Sequence, residues 1–239
     1  MIIIPARLAS SRFANKVLAD ILGLPMVIKT AFAVKDLDDV AIATDSEEVV
    51  KVAKKYNINA IMTSTSHQSG TDRINEAANI LGLNDDEIVV NVQADEPFIE
   101  PKIIKAIIDK TKEIQKSREF CMASLCKQIT SELADDPNHV KVLLDTNSDA
   151  IYFSRSKIPY NRDHHHGIDY FGHLGVYSFS KKSLNEFCSL SVAPLEHIEK
   201  LEQLRAVYHN KKIAMQIVES KSFGIDTEED LKKAIEIFG

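Results

Sequence analysis

The first segment with residue types suited to chemistry is 1–16, an apolar run followed by a cationic, polar loop. Its cations are Arg7, Arg12 and Lys16, and its other hydrogen-bond donors are Ser10, Ser11 and Asn15. Arginine can bond two phosphate oxygens at once, and lysine adds a movable point charge. The loop therefore predicts a polyanionic ligand, for which a nucleoside triphosphate is the candidate. A solvated basic loop beside a buried strand would have the same residue types.

A carboxylate in a comparable position follows the apolar run 88–92. There the chain reads Gln93-Ala94-Asp95-Glu96-Pro97. Mg²⁺ takes oxygen ligands and shares them with phosphates, so a carboxylate beside a triphosphate loop suits this metal. Asp95 is equally suited to form a turn or to cap a helix before Pro97. Its position alone does not decide between these interpretations.

Apolar patterning indicates which elements hold these residues. It predicts strands over 1–4, 40–43, 60–63, 88–92, 122–125, 140–145, 150–153, 173–179 and 213–218. It predicts helices over 26–34, 48–56, 74–81, 103–108, 181–187, 195–208 and 227–238. Pro5 is expected to end the first strand, and Asp45 to cap the helix after the second. In the helix over 195–208, the expected buried stripe is Leu195, Ile198, Leu201 and Leu204.

The alternation of strands and helices predicts the fold class. It is typical of βαβ units, so we expect an α/β protein with a mainly parallel nucleotide-binding sheet flanked by helices. In such sheets ligands bind beyond the carboxyl ends of the strands, which places the Arg7 loop and Asp95 at one edge. We treat 1–239 as a single domain. Its nucleotide-binding half is 1–100, and 101–239 contains an inserted lid folded onto that half.

Composition, net charge and cysteine count argue against several classes of protein. The chain has 239 residues and a formal net charge of -6 with only local basic clusters, which argues against broad nucleic-acid or anionic-membrane binding. We expect neither a secretion signal, because the apolar start is short, nor a bilayer-spanning segment. The three cysteines, Cys121, Cys126 and Cys188, are too few for a disulfide framework. We therefore expect a cytoplasmic protein with reduced cysteines.

Several motifs, taken in order, carry a resemblance to a known family. They are Ile3-Ile4-Pro5-Ala6-Arg7, Ser11-Arg12, Lys16, His67-Gln68-Ser69-Gly70-Thr71-Asp72-Arg73, Asn91-Val92-Gln93-Ala94-Asp95-Glu96-Pro97, Tyr152-Phe153-Ser154-Arg155, His173-Leu174-Gly175-Val176-Tyr177, 195–205 and Gly224-Ile225-Asp226-Thr227. This set closely resembles the 3-deoxy-manno-octulosonate cytidylyltransferase family and spans nearly the whole chain.

The resemblance implies a nucleotidyl transfer that serves lipopolysaccharide synthesis. CTP and a 3-deoxy-2-keto sugar acid would give the CMP-sugar and pyrophosphate. By similarity, Arg7 and Lys16 hold the phosphates and stabilise the leaving pyrophosphate. Asp95 and Asp226 are implied as ligands of two Mg²⁺ ions. From the residue types alone, a helix cap formed with Thr227 and Asp230 is a better interpretation of Asp226 than a metal ligand.

The resemblance also assigns the two substrate pockets and a homodimer, with 101–239 as the sugar-binding and dimerisation half. The implied nucleotide-binding residues are Ala6, Arg7, Ser10, Ser11, Arg12, Lys16, Gln68, Ser69, Gly70, Arg73, Gln93 and Ala94. The implied sugar-acid residues are Arg155, His173, Tyr177, Glu202 and Gln203. Without the resemblance, His173 and Tyr177 are as readily interpreted as sheet packing. Glu199, Glu202 and Gln203 lie off the apolar stripe and would be interpreted as solvated.

Two departures from the family pattern concern the nucleotide site. Ala94 stands where the family usually has Gly, and Ala14-Asn15 stands where it has a Pro-Gly pair. The first adds a methyl group near the ribose, and the second affects how the phosphate loop closes. The run 164–166 consists of three histidines, which we interpret as a solvated loop because consecutive residues cannot easily face one ion.

Three alternatives remain at this stage. A related enzyme would activate 8-amino-Kdo or a sialic-type nonulosonate with the same metals and carboxylate clamp. A nicotinamide-dependent dehydrogenase would require a glycine-rich first loop, whereas the first strand here leads into Pro5-Ala6-Arg7. A non-catalytic nucleotide-binding module would have carboxylates that do not bind metal productively.

Overall fold

The structure is a computed structural model that describes residues 1–8, 15–163, 165, 167–222, 224–225 and 227–238. Its strands are β1 Ile2–Ala6, β2 Asp20–Ile21, β3 Leu24–Pro25, β4 Val40–Thr44, β5 Asn59–Met62, β6 Ile88–Asn91, β7 Met122–Ile129, β8 Lys141–Leu144, β9 Ala150–Ser154, β10 Tyr170–Ser180 and β11 Ile213–Ile217. Its α-helices are α1 Met26–Val34, α2 Glu47–Lys55, α3 Gly70–Ile80, α4 Pro101–Ser117, α5 Ser131–Asp135, α6 Lys181–Ser189, α7 Pro194–Glu199, α8 Leu204–Tyr208 and α9 Glu228–Phe238.

Both halves of the chain contribute strands to the central sheet. In the described residues this sheet has nine strands, and its main path is β11-β7-β10-β6-β1-β4-β5. The pairs β1–β4, β1–β6, β4–β5 and β11–β7 are parallel, whereas β10 is antiparallel to both β6 and β7. Along this path only β10 therefore runs in the opposite direction. The predicted α/β class with a mainly parallel sheet is confirmed, while the division at residue 100 stays a prediction.

Pro5 does not end the first strand, so that prediction is wrong. Successive residues of a strand direct their N–H groups to opposite sides. Ile2 donates its N–H to the carbonyl of Asp39 on the β4 side, so an N–H at position 5 would point to the β6 side. On that side the ladder ends with the Ile3↔Asn91 pair. The proline therefore removes no ladder hydrogen bond, and β1 continues.

Helices pack on the sheet through apolar faces, as the sequence predicts. Helix α1 has the predicted bounds, 26–34. Helix α2 is capped by Ser46 and not by Asp45, because the Ser46 hydroxyl accepts the N–H of Val49 at 3.5 Å. Asp45 instead accepts a hydrogen bond from Arg73 at 2.7 Å. No helix in the described residues is both long enough and apolar enough to cross a membrane.

The helix predicted over 195–208 is divided in two by Lys200. This residue has a left-handed φ of 54°, which ends α7 before α8 begins. Ile198 is consequently exposed, at 78%, and the predicted buried stripe is wrong at that position. The ion pair between Arg205 and Glu196, with a 2.7 Å contact, joins the two short helices across the break. The break matters for function because it turns the following residues toward the sheet.

Candidate functional site

Two loops leave the sheet at the same edge. β1 and β6 are parallel neighbours, so the segment after Ala6 and the segment after Asn91 both begin at the carboxyl ends of their strands. Ala6 is buried, and Arg7 is exposed at the start of its loop. Asp95 follows β6 and is partly exposed. The predicted arrangement of these loops at one edge is therefore present.

Lys16 and Asp95 meet at this edge. The Lys16 Nζ lies 2.6 Å from the Asp95 Oδ2, and their side chains are 13% and 27% exposed. The backbone carbonyl of Asp95 accepts the N–H of Ile225 at 2.9 Å, which brings the C-terminal segment beside the same loop. The predicted roles of Ser10, Ser11, Arg12 and Asp226 fall outside the described residues.

A second carboxyl group, Glu96, lies next to Asp95. Burial, and then the negative charge of Asp95, raise the pKa of Glu96 to about 8, while the charge of Lys127 opposes this rise. Two adjacent carboxyl groups, both partly buried, make a site that favours added positive charge.

Asn15 explains one departure from the family pattern. It has a φ of 53° and a ψ of 30°, in the left-handed region, just before the short 3₁₀ helix Lys16–Leu18. Glycine adopts this region without steric cost, and asparagine adopts it more readily than most other residues do. The backbone thus keeps a conformation typical of glycine at this position.

Substitutions at Asn15 are expected to separate backbone strain from side-chain chemistry. Asn15→Gly should change the free energy of unfolding by less than about 0.5 kcal/mol, whereas Asn15→Val should lower it by about 1–2 kcal/mol. Urea unfolding of the two variants and the wild type measures this difference. If the valine variant is as stable as the wild type, the left-handed conformation imposes no strain.

The predicted base pocket brings α3 close to β1 and to the segment after β6. A Cβ added at Gly70 would lie 3.2 Å from the Pro5 side chain and 3.7 Å from the Gln93 Oε1, so only glycine leaves full clearance there. Ser69 caps α3 by accepting the N–H of Asp72 at 3.0 Å. Gln68 is exposed and donates to the carbonyl of Ser66 at 3.0 Å, which leaves its amide oxygen accessible.

The Ala94 carbonyl and the Arg73 guanidinium both form hydrogen bonds with other residues of the chain. The Ala94 carbonyl accepts the Thr30 hydroxyl at 3.0 Å, and its side chain is buried. Arg73 is only 2% exposed. Its guanidinium donates to the Asp45 carboxylate and to the Thr63 hydroxyl, each at 2.7 Å. These contacts give Arg73 a structural role. Its predicted role in base binding stays a prediction.

The predicted sugar-acid residues of β10 form one hydrogen-bonded cluster with Gln203. The Tyr177 hydroxyl donates to the Gln203 Oε1 at 3.0 Å, and the Gln203 Nε2 lies 3.4 Å from the His173 Nδ1. The other ring nitrogen of His173 lies 2.8 Å from the Ser124 hydroxyl. Gln203 is 2% exposed, so its interpretation as solvated is wrong.

Burial controls the protonation of this cluster. It lowers the pKa of His173 to about 3 and raises the pKa of Tyr177, which the Glu202 charge raises further. Both side chains are therefore neutral near pH 7. A neutral imidazole and a phenol present fixed hydrogen-bonding groups without a charge.

His173 is expected to make stability depend on pH in one direction. In the unfolded chain its pKa returns to about 6.5, so below that pH the unfolded state binds a proton that the native state does not. The free energy of unfolding should therefore decrease by about 2 kcal/mol between pH 7 and 5 on account of this residue. Urea unfolding of His173→Gln should show a decrease smaller by that amount. Equal decreases in the two proteins would contradict the buried neutral state.

Glu202 joins the sugar-acid residues to α3. Its Oε2 accepts the Thr71 hydroxyl at 2.9 Å. Its Oε1 is buried and has no hydrogen-bond partner within the described ranges. Burial raises the pKa of Glu202, and the hydroxyls of Ser69 and Thr71 oppose this rise. Its interpretation as solvated is wrong, because the break at Lys200 turns it inward.

Arg155 is anchored separately from the His173 cluster. Its Nε donates to the Glu199 carbonyl at 2.8 Å and its Nη1 to the Pro137 carbonyl at 3.0 Å. The Glu199 carboxylate accepts the Ser154 hydroxyl at 2.7 Å and the Arg155 N–H at 2.9 Å, so Glu199 is not solvated either. No hydrogen bond between described residues links Arg155 directly to His173.

Sequence reasoning missed the side chains that support these pockets. Thr71 and Asn91 lie inside quoted motifs but were given no role, and Ser124 carried no signal in its strand pattern. His165, from the histidine run, is exposed, and its neighbours at 164 and 166 lie outside the described ranges. Within those ranges no three His, Cys, Asp or Glu side chains are grouped to hold a metal.

Comparison with known proteins agrees with this geometry. A family model described as cytidylyltransferase matches residues 1–213. A 3-deoxy-manno-octulosonate cytidylyltransferase of a Nitratiruptor species is 56% identical over 233 residues, covering 98% of this chain and 97% of the relative. The chain belongs to the 3-deoxy-manno-octulosonate cytidylyltransferase family. The resemblance found in its motifs is thereby confirmed.

Two further proteins are similar to this member of the cytidylyltransferase family. A relative of the same description from Wolinella succinogenes is 51% identical over 243 residues, covering 100% of this chain and 99% of the relative. A solved CMP:2-keto-3-deoxy-manno-octonic acid synthetase complexed with CTP has a TM-score of 0.90 and 35% identity, covering 99% of this chain and 96% of its own. Membership in this family does not fit the dehydrogenase alternative.

Proposed function

We propose that the chain activates Kdo with CTP, giving CMP-Kdo and pyrophosphate for lipopolysaccharide synthesis. The observation that carries the proposal is the 2.6 Å contact between the Lys16 ammonium and the Asp95 carboxylate. A cation for phosphate and a carboxylate for metal are the groups that nucleotidyl transfer needs side by side. The relatives described above are 3-deoxy-manno-octulosonate cytidylyltransferases, and the similar solved synthetase is complexed with CTP.

We assign Asp95 and, by the family resemblance, Asp226 as the protein ligands of two Mg²⁺ ions, because a carboxylate beside a candidate triphosphate loop suits this metal. Asp95 already pairs with a positive charge, the Lys16 ammonium. The Glu96 carboxyl group lies next to Asp95, whose negative charge is the second cause, after burial, of the raised pKa of Glu96. When bound, the metal would screen the triphosphate and lower the pKa of the attacking hydroxyl.

The residues of the chain then position the nucleotide. Arg7, exposed at the end of β1, is assigned to the phosphates together with the loop residues Ser10, Ser11 and Arg12. Lys16 is the candidate to follow the leaving pyrophosphate, because its long side chain can move from Asp95 to a phosphate oxygen. In-line transfer to the α-phosphorus depends mainly on such positioning.

The sugar acid would occupy the space bounded by β10 and α8. The unpartnered Oε1 of Glu202 is an acceptor for a sugar hydroxyl. Among described residues, the Arg155 Nη2 makes no hydrogen bond, so it is suited to receive the carboxylate of the sugar acid. The anomeric 2-hydroxyl would then attack the α-phosphorus as pyrophosphate leaves.

Pyrophosphate release tests this function directly. Each of CTP, UTP, ATP and GTP is combined with Kdo, 8-amino-Kdo and a sialic acid, with and without Mg²⁺. We expect rapid release only with CTP, Kdo and Mg²⁺ together. Release with CTP but a different preferred acid would reassign the substrate. No release with CTP and any of the three acids would refute the enzymatic proposal and favour a nucleotide-binding module.

A homodimer is part of the same proposal. Large apolar side chains are exposed mainly in the second half of the chain, as found for Ile151, Tyr160, Val192, Ile198, Tyr208 and Ile217. These exposed side chains are candidates for burial against a second copy. Light scattering across a concentration series should give twice the mass of one chain, and a constant single-chain mass would contradict it.

A further inference from the structure

A chain of hydrogen bonds connects the predicted nucleotide pocket with the predicted sugar-acid pocket. It starts at Gln93, whose Nε2 donates to the Asn91 Oδ1 at 3.1 Å. The Asn91 Nδ2 lies 3.4 Å from the Thr71 hydroxyl, which in turn donates to the Glu202 Oε2 at 2.9 Å. Asn91 and Thr71 are 0% and 1% exposed, so water does not compete for these bonds.

The direction of donation along this chain is fixed by its last member. The Thr71 hydroxyl donates to the Glu202 Oε2, and it has only one proton to donate. Thr71 must then accept from Asn91, which leaves the Asn91 carbonyl to accept from Gln93. Each group has one arrangement that satisfies its neighbours, which is how a buried network selects one geometry.

Each end of the chain has an oxygen acceptor beside one of the two predicted pockets. At one end, the Gln93 Oε1 lies 3.7 Å from where a Cβ at Gly70 would stand. At the other end, the Glu202 Oε1 is buried without a partner in the part of the chain that the structure describes. One Glu202 oxygen is thus fixed by Thr71, and the other is an acceptor without a partner among the described residues, which a ligand hydroxyl would satisfy.

We propose that Thr71 and Asn91 are positioning residues that hold the Glu202 carboxylate in the orientation required by the sugar acid. This inference rests on the proposed function. It adds two buried residues that touch neither substrate and act through Glu202. Without the Thr71 hydroxyl, the carboxylate would be free to rotate and would lose the bond that compensates for its burial.

A matched pair of substitutions at Thr71 tests this role. Thr71→Val keeps the shape of the side chain and removes the hydroxyl, whereas Thr71→Ser keeps the hydroxyl. We expect Thr71→Val to raise the KM for Kdo about tenfold at saturating CTP, the effect of losing one hydrogen bond to a charged group. The Kd of CTP, measured by calorimetry without Kdo, should stay within about twofold. Thr71→Ser should stay within about threefold of the wild-type KM.

Thr111→Val serves as the control for loss of a buried threonine hydroxyl. Thr111 is 0% exposed, and its hydroxyl bonds to the Ser178 hydroxyl at 2.8 Å, on the α4 side of the sheet. This variant should lose stability without a change in the KM for Kdo. A similar rise in KM in both valine variants would overturn the positioning role, because general loosening would then explain it.

Asn91→Asp provides a second test that does not depend on the folding of Thr71→Val. The new carboxylate would accept the Thr71 proton and turn it away from Glu202, so the KM for Kdo should again rise with the Kd of CTP maintained. An unchanged KM in both Thr71→Val and Asn91→Asp overturns the inference while wild-type activity upholds the proposed function. Absence of wild-type product from CTP and Kdo identifies failure of the proposed function instead.

Discussion

Replacing Asp95 with asparagine is expected to reduce kcat for pyrophosphate release about 10³-fold. The amide has almost the same size but no negative charge, so it cannot supply the anionic ligand that we assign to Mg²⁺ or pair with Lys16. The free energy of unfolding should fall by about 1–2 kcal/mol, because the pair is partly buried, with Lys16 13% and Asp95 27% exposed. Measuring kcat over a wide range of Mg²⁺ concentration distinguishes weakened metal binding, which excess Mg²⁺ restores, from loss of the catalytic arrangement.

Asp145→Asn is the matched control for this substitution. The Asp145 side chain is 26% exposed and lies 3.9 Å from the Lys212 ammonium. Lys212 precedes β11, so the pair lies at the amino ends of the parallel strands, opposite the candidate site. The control should retain wild-type kcat and Mg²⁺ dependence. If Asp95→Asn also retains them, Asp95 is not a metal ligand and the proposed chemistry fails.

Replacing Arg73 with methionine is expected to lower the free energy of unfolding by about 3–5 kcal/mol. The change leaves the Asp45 carboxylate, whose side chain is 13% exposed, without its guanidinium partner. It also removes the donor to the Thr63 hydroxyl. Urea unfolding of the single variant and of the double variant with Asp45→Asn measures the effect, and the double variant should recover part of the loss.

Lys51→Met supplies the surface comparison for Arg73→Met. The Lys51 ammonium lies 3.9 Å from Glu47, and both side chains are largely exposed, so its loss should cost less than about 0.5 kcal/mol. The same variants address the base-pocket role of Arg73. A normal stability with a large rise in the Kd of CTP would show that Arg73 acts on the nucleotide and not on the fold.

Periodicity predicted the architecture well because the sheet and helices are regular. The buried strands β1, β4 and β6 and the helix α1 follow from apolar spacing alone. The pattern failed where a single backbone angle decided the outcome, as at Lys200, whose left-handed conformation is not encoded by hydrophobicity. The pattern also failed at Pro5. The hydrogen-bond ladder with β6 ends at Ile3, so the missing N–H of the proline breaks no hydrogen bond and the strand continues.

The candidate site was predictable only in part, because its supporting contacts join distant residues. The motifs identified Asp95 and Lys16 separately, and their 2.6 Å contact spans 79 positions in the sequence. The bond between Thr71 and Glu202 spans 131 positions, so local patterning could not reveal that the Glu202 carboxylate points inward. A polar residue off an apolar stripe looks solvated until its partner is known.

The reversed strand β10 affects how the chain emerges during translation. β10 lies between β6 and β7, yet it is synthesised after both of them. Until residues 170–180 leave the ribosome, the edge of β6 has unpaired backbone groups that another nascent chain could pair with. The sheet is therefore complete only once β10 has inserted between β6 and β7.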